Sequence, residues 1–117
     1  MSNALNQAIE QAFAQATQAV VDGQTEAAWR WLERAHILTQ KRPLLHARSH
    51  WRMFILGWQT GDYREVAGQL PRILAAVLFS RVWVPLGNTG RARVSAFAPM
   101  PVSEDIQALL QAEQSGQ

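Results

Sequence analysis

The chain reads as an all-α protein: two stacked antiparallel helical hairpins, then an ordered loop and a short terminal helix. Three observations predict this. Apolar residues recur at helical spacing, without strand-like alternation, as far as Trp83. Turn signals, "DGQT" at 22–25, "KRP" at 41–43 and "TGD" at 60–62, cut that stretch into four segments of helix length. A weak repeat relates the two halves. Gly23, Ala28, Leu32 and Ala35 are matched 38 residues later by Gly61, Val66, Leu70 and Ile73.

The elements follow in order. Leu5, Ile9, Phe13 (or Ala12), Ala16 and Val20 give residues 3–21 one apolar helical face. Thr25 is the expected N-cap of a second helix that runs to about Gln40. Pro43 suits the first position of a third helix, to about Gln59, since its missing N–H would be unpaired there anyway. Asp62 should cap a fourth. Pro71 should kink or restart that helix, because the ring removes a donor and crowds the preceding turn. The helix is expected to continue to about Trp83. Beyond it, "VPLGNTGRARVSAFAPMPVS" has turn residues and no helical period, so an ordered loop over 84–102 is expected, anchored by Phe97 and Met100. Ser103 should cap the last helix. The whole makes one domain, 1–117, with a four-helix core over 1–83 and a terminal helix within 103–114.

Composition narrows the function. At 117 residues and 48% hydrophobic, the chain has the makings of a globular core. It has no cysteine, which excludes disulfides, thiolate metal knuckles and cysteine nucleophiles together. The net charge is only +2, and the arginines are scattered rather than run together, which speaks against a nucleic-acid partner. The longest apolar run, "ILAAVLF" at 73–79, is far too short to span a bilayer. The first residues lack the cationic start and apolar core of a signal peptide. A cytoplasmic protein without a membrane partner is the expectation.

All three histidines, His36, His46 and His50, fall within residues 35–50. On helix 2, Trp29, Glu33, His36 and Gln40 share one stripe. On helix 3, Leu44, Trp51, Ile55 and Trp58 form the main apolar face, and His46, His50, Met53 and Gly57 lie nearly opposite. A helix apolar on two faces is usually buried on both, so His46 and His50 are expected to face protein. The tryptophans at 29, 31, 51, 58 and 83 read as core. With only "KRP" between them, helices 2 and 3 should be antiparallel neighbours, which brings the two histidine stripes within reach of each other. Glu33-x-x-His36 has the spacing that helical carboxylate metal proteins use. His46-x-x-x-His50 lets one helix face offer two imidazoles to one ion. Three nitrogens and a carboxylate suit Zn, Fe, Ni or Cu and do not suit Ca. The same residues also fit a packing role, held by backbone carbonyls and Glu33.

The "GNTGRAR" stretch has two readings as well. Glycines, Asn88, Thr89 and Arg91 have the makings of an anion-binding loop. They equally make a plain turn with Asn88 left-handed and Thr89 bonded to backbone. A third arrangement lays the loop over the histidines as a lid or outer shell.

"ERAHILTQKRPLLHARSHWRM" and "PLGNTGRARVSAFAPMPVSEDI" resemble the bacterial family known as domain of unknown function 3703, over about residues 25–110. The family pattern takes in Glu33, His36, His46, His50, Asn88, Ser95 and Met100. The resemblance implies that the polar cluster and the C-terminal loop belong to one recurring pattern; it carries no activity. Residues 5–80 have a weaker likeness to tetratricopeptide hairpins, which bears on stacking and not on peptide binding. The expected function is binding of a transition metal by His36, His46, His50 and Glu33, with Asn88, Thr89, Arg91 and Ser95 as outer shell or anion loop. No reaction is assigned. The alternative is a helical scaffold or dimerisation module, engaging a second copy or another protein, with structurally buried histidines.

Overall fold

Helix α1, Asn3–Val21, buries Leu5, Ala8, Ile9, Ala12, Phe13, Ala16 and Ala19, the 3–4 spacing of a single core-facing stripe. This computed structural model describes residues 3–79, 90–92 and 100–115. The other helices are α2 (Thr25–Leu38), α3 (Pro43–Thr60), α4 (Tyr63–Phe79) and α5 (Glu104–Ser115). No strand occurs among the described residues. Helix α1 packs against α2 and α3 against α4, and α2 joins the pairs by packing on α3. The result is two stacked helical hairpins, with α5 set against α1 and α2 through Ile106. Among the described residues no helix is long and apolar enough to cross a membrane.

The repeat is visible in the turns. Gly23 and Gly61 each end a first helix in the left-handed region, at φ +72° and +75°. In both turns the next amide reaches back five residues, Gln24 to the Ala19 carbonyl and Asp62 to the Gly57 carbonyl, each at 2.8 Å. This closes the orphan carbonyls of the last helical turn. The likeness fades beyond the turns: Leu32 is buried, and its counterpart Leu70 is 54% exposed.

Pro43 opens α3 as expected, and the Asp62 carboxylate accepts from the Glu65 amide at the start of α4. Three local expectations need correction. Thr25 is the first residue of α2, and Gln24 occupies the cap position without a side-chain bond. Helix α2 ends at Leu38, short of Gln40. Helix α4 runs through Pro71 without a break. The described part of α4 ends at Phe79, so its continuation to Trp83 lies outside the described residues. Most of the 84–102 loop, Phe97 included, also lies outside them; Met100 is half-buried.

The largest correction concerns α3. The expected core face is turned largely outward: Leu44, Trp51 and Trp58 are 77, 50 and 63% exposed, and Ile55 is half-buried. The opposite stripe, His46, Ser49, His50, Met53, Leu56 and Gly57, is the buried one. Of the tryptophans, Trp29 is core, Trp31 is half-buried and Trp83 lies outside the described residues. Arginines on and just before α3 reach α1. Arg48 lies 4.4 Å from the Phe13 ring centre, Arg52 donates to Thr17 Oγ1 at 2.7 Å, and Arg42 donates to Asn6 at 2.7 Å.

Candidate metal centre

His36 sits near the end of α2, and His46 and His50 lie one turn apart near the start of α3. The antiparallel hairpin brings all three rings together, at 3, 7 and 3% exposure. His36 Nε2 is 2.8 Å from His46 Nε2 and 3.1 Å from His50 Nε2. Ring centres are 4.5–4.9 Å apart; His36 meets His46 and His50 edge-on, at 62° and 72° between planes, and His46 and His50 are tilted by 42°. A ligand atom from each lies within 4.8 Å of the other two.

Each outer ring nitrogen matters in turn. His50 Nδ1 lies 2.6 Å from Gln69 Oε1. The Gln69 amide nitrogen donates to Glu65 Oε2 at 3.0 Å and to the Gly90 carbonyl at 2.8 Å. His46 Nδ1 is buried and meets no hydrogen-bond partner among the described residues. Burial pushes His46 down to about 4. Burial, then the charge of His46, pushes His50 down to about 3; the Gln69 bond pulls the other way, and Arg72 adds to the fall. Both rings are therefore neutral at ordinary pH, the form in which imidazole ligates.

Glu33 lies beside this group without joining it. Its carboxylate accepts from Arg30 at 2.7 Å and from Arg91 at 3.0 Å. Arg91 reaches Glu65 through Nε at 2.6 Å and stacks 3.8 Å from the centre of the Trp29 indole. Burial acts against the Arg91 charge, but hydrogen bonds and charges of Glu65 and then Glu33 hold it above its ordinary value. The Arg91 guanidinium thus bridges Glu33 and Glu65 over the Trp29 ring. Asn88, Thr89 and Ser95 lie outside the described residues.

One residue of the glycine loop, Gly90, lies against His36. Gly90 takes φ +82°, and a Cβ placed there would sit 2.6 Å from His36 Cδ2 and 2.8 Å from its Nε2. Only glycine allows both the backbone angle and the approach. The next amide but one, Ala92 N, donates to both Glu65 oxygens at 3.1 Å, so the 90–92 segment is fastened to α4.

Sequence reasoning missed Glu65 and Gln69, both fully buried. A signal existed. They interleave with Val66 and Ile73 at the 3–4 spacing of a core-facing stripe, where a polar side chain needs a built partner.

Fold and cluster together define a small all-helical protein with a buried three-histidine centre closed by a backbone segment. The family model described as "Protein of unknown function (DUF3703)" matches residues 3–110, and the chain belongs to that family. The match extends through α1, beyond the region from residue 25 that carries the resemblance read from sequence. No curated protein and no solved structure matches the chain.

Proposed function

We propose that this protein binds one transition-metal ion, Zn, Fe, Ni or Cu, through the Nε2 atoms of His36, His46 and His50. The observation that carries the reading is the convergence of three buried ring nitrogens. Bonds of about 2.0–2.1 Å to one ion set neighbouring nitrogens about 3.3 Å apart at tetrahedral angles and about 2.9 Å apart at right angles. The two separations at His36, 2.8 and 3.1 Å, lie close to that range.

Proton counting supports it as well. A neutral imidazole nitrogen offers, in the ring plane, either one proton or one lone pair. His36 Nε2 faces two neighbours and serves only one of them with a well-directed bond. A central cation takes a lone pair from all three. Glu33, held by two arginines, belongs to the surroundings of the ion in this reading. The proposal includes a cytoplasmic setting, with which a cysteine-free composition is compatible.

Elemental analysis of untagged protein tests this. Wild type should carry about one ion per chain, Glu33→Gln should keep it, and His46→Ala should lose it. If wild type and His46→Ala respond identically to Zn, Fe, Ni and Cu titration, the histidines are a packing feature.

One observation favours a second reading, a dimerisation or protein-interaction module. The outward face of α3 carries Leu44, Trp51 and Trp58, an uncommon density of exposed apolar surface. Sedimentation of the metal-free protein decides it: a concentration-independent monomer removes self-association.

A further inference from the structure

We infer that Gln69 is a positioning residue of this centre: it fixes the tautomer of His50, so that Nε2 meets His36 and His46 as a bare lone pair. The consequence for ion binding rests on the metal reading above; the tautomer itself does not, because it exists in the ion-free protein.

Donors and acceptors around Gln69 set the orientation of its amide. Gln69 is fully buried on α4, and its side-chain nitrogen faces two oxygens, Glu65 Oε2 and the Gly90 carbonyl. Neither has a proton to give as a carboxylate or a carbonyl, so the nitrogen end of the amide must point there. A flipped amide would set oxygen against two oxygens at a fully buried position, leaving its own nitrogen facing His50. The Gln69 carbonyl is thereby aimed at His50 Nδ1, 2.6 Å away. An oxygen only accepts, so Nδ1 carries the proton. A neutral ring with its proton on Nδ1 has none on Nε2.

The orientation of Gln69 is itself held. Glu65 accepts from Arg91 Nε at 2.6 Å and from the Ala92 amide, which keeps its carboxylate facing the amide nitrogen. A chain of fixed donors and acceptors thus runs from the 90–92 segment through Glu65 and Gln69 to His50. The demand at position 69 is specific. The side chain must donate to Glu65 and accept from His50 at once, which an amide does and an aliphatic residue does not. The amide also holds the Gly90 carbonyl, and Gly90 covers His36. Loss of Gln69 therefore frees a ligand tautomer and loosens the covering backbone together. Ring partners of this kind orient metal-binding histidines, and removing one typically costs 10–100-fold in affinity.

The test reads the histidine ring nitrogens of ion-free protein by long-range proton–nitrogen correlation spectroscopy near neutral pH. In wild type, His50 should show a protonated Nδ1 and a bare Nε2. In Gln69→Leu, the proton should move wholly or partly to Nε2. Zinc affinity should fall about 10–100-fold while saturation stays near one ion per chain. A wild-type His50 protonated on Nε2 overturns the inference without any variant. So does a folded Gln69→Leu whose His50 keeps the Nδ1 proton. A wild type with the expected tautomer that takes up no zinc leaves Gln69 in its role and overturns the metal reading alone.

Discussion

His46 and His50 hold their protons only below about 4 and about 3 in the fold, whereas an ordinary histidine titrates at 6.5. Between 6.5 and those values the unfolded chain binds protons that the folded chain refuses, so stability rises with pH across that window. The contribution of the two neutral rings is complete above 6.5 and is lost progressively as the pH falls. Urea unfolding of ion-free protein should therefore show a midpoint that drops between pH ~7 and ~4. A midpoint flat over that range would mean the rings are not buried neutral. The same refusal of protons favours an ion. Metal uptake should persist below the ordinary histidine pKa, for as long as the fold survives, and not vanish near pH ~6.

At the scale of the element, α3 turns a stripe of histidine, serine and methionine inward and a stripe of tryptophan and leucine outward. Periodicity alone favours the opposite, since burying Trp51 and Trp58 would remove more apolar area from water. What reverses the choice is that the polar stripe meets built partners: Gln69 for His50, the other histidines, and the backbone carbonyl of His46 for Ser49 at 2.6 Å. Polar groups with partners cost little to bury. The outward stripe is partly self-covered, with Trp51 stacked on Phe54 at 5.3 Å and Trp58 against the edge of Tyr63 at 6.0 Å. Trp58→Gln should accordingly change monomer stability by no more than about 0.5 kcal/mol. Trp29→Ala, which empties a core position and removes the platform under Arg91, should cost about 3–5 kcal/mol. Thermal unfolding of both variants checks the assignment, and a large loss in Trp58→Gln would mean that face is covered.

Across the whole molecule, one polar network joins α2, α3, α4 and the 90–92 segment. Its centre is Glu65, fully buried and bound to Arg91, Gln69 and the Ala92 amide. A buried pair broken on one side leaves an uncompensated charge, so Glu65→Ala should destabilise by about 3–5 kcal/mol, the range seen for such losses. It should also expose the Gly90–Ala92 amides to hydrogen exchange. Protection at Ala92 that is unchanged in a folded Glu65→Ala would show that this bond does not hold the segment.

The number of helices, their order and most of their limits were legible in the residues. Helices depend on bonds between near neighbours, and the stops at Gly23 and Gly61 and the start at Pro43 act through the backbone angles of single residues. The grouping of His36, His46 and His50 was legible for the same reason: a four-residue turn leaves a hairpin few ways to arrange its two stripes. Glu33 shows where that reasoning ends. Its spacing to His36 suits a ligand, but its carboxylate answers to Arg91, 58 residues away along the chain. Gln69 lies 19 residues from His50, and Gly90 lies 21 residues beyond Gln69. Sequence alone settled what local geometry governs: an all-helical chain, its turns, and three imidazoles on neighbouring stripes. Only the tertiary structure decided which face of α3 is core, which carboxylates are neutralised and which ring nitrogen of His50 holds a proton. Those outcomes depend on partners that the fold brings together from distant positions, and no spacing along the chain encodes them.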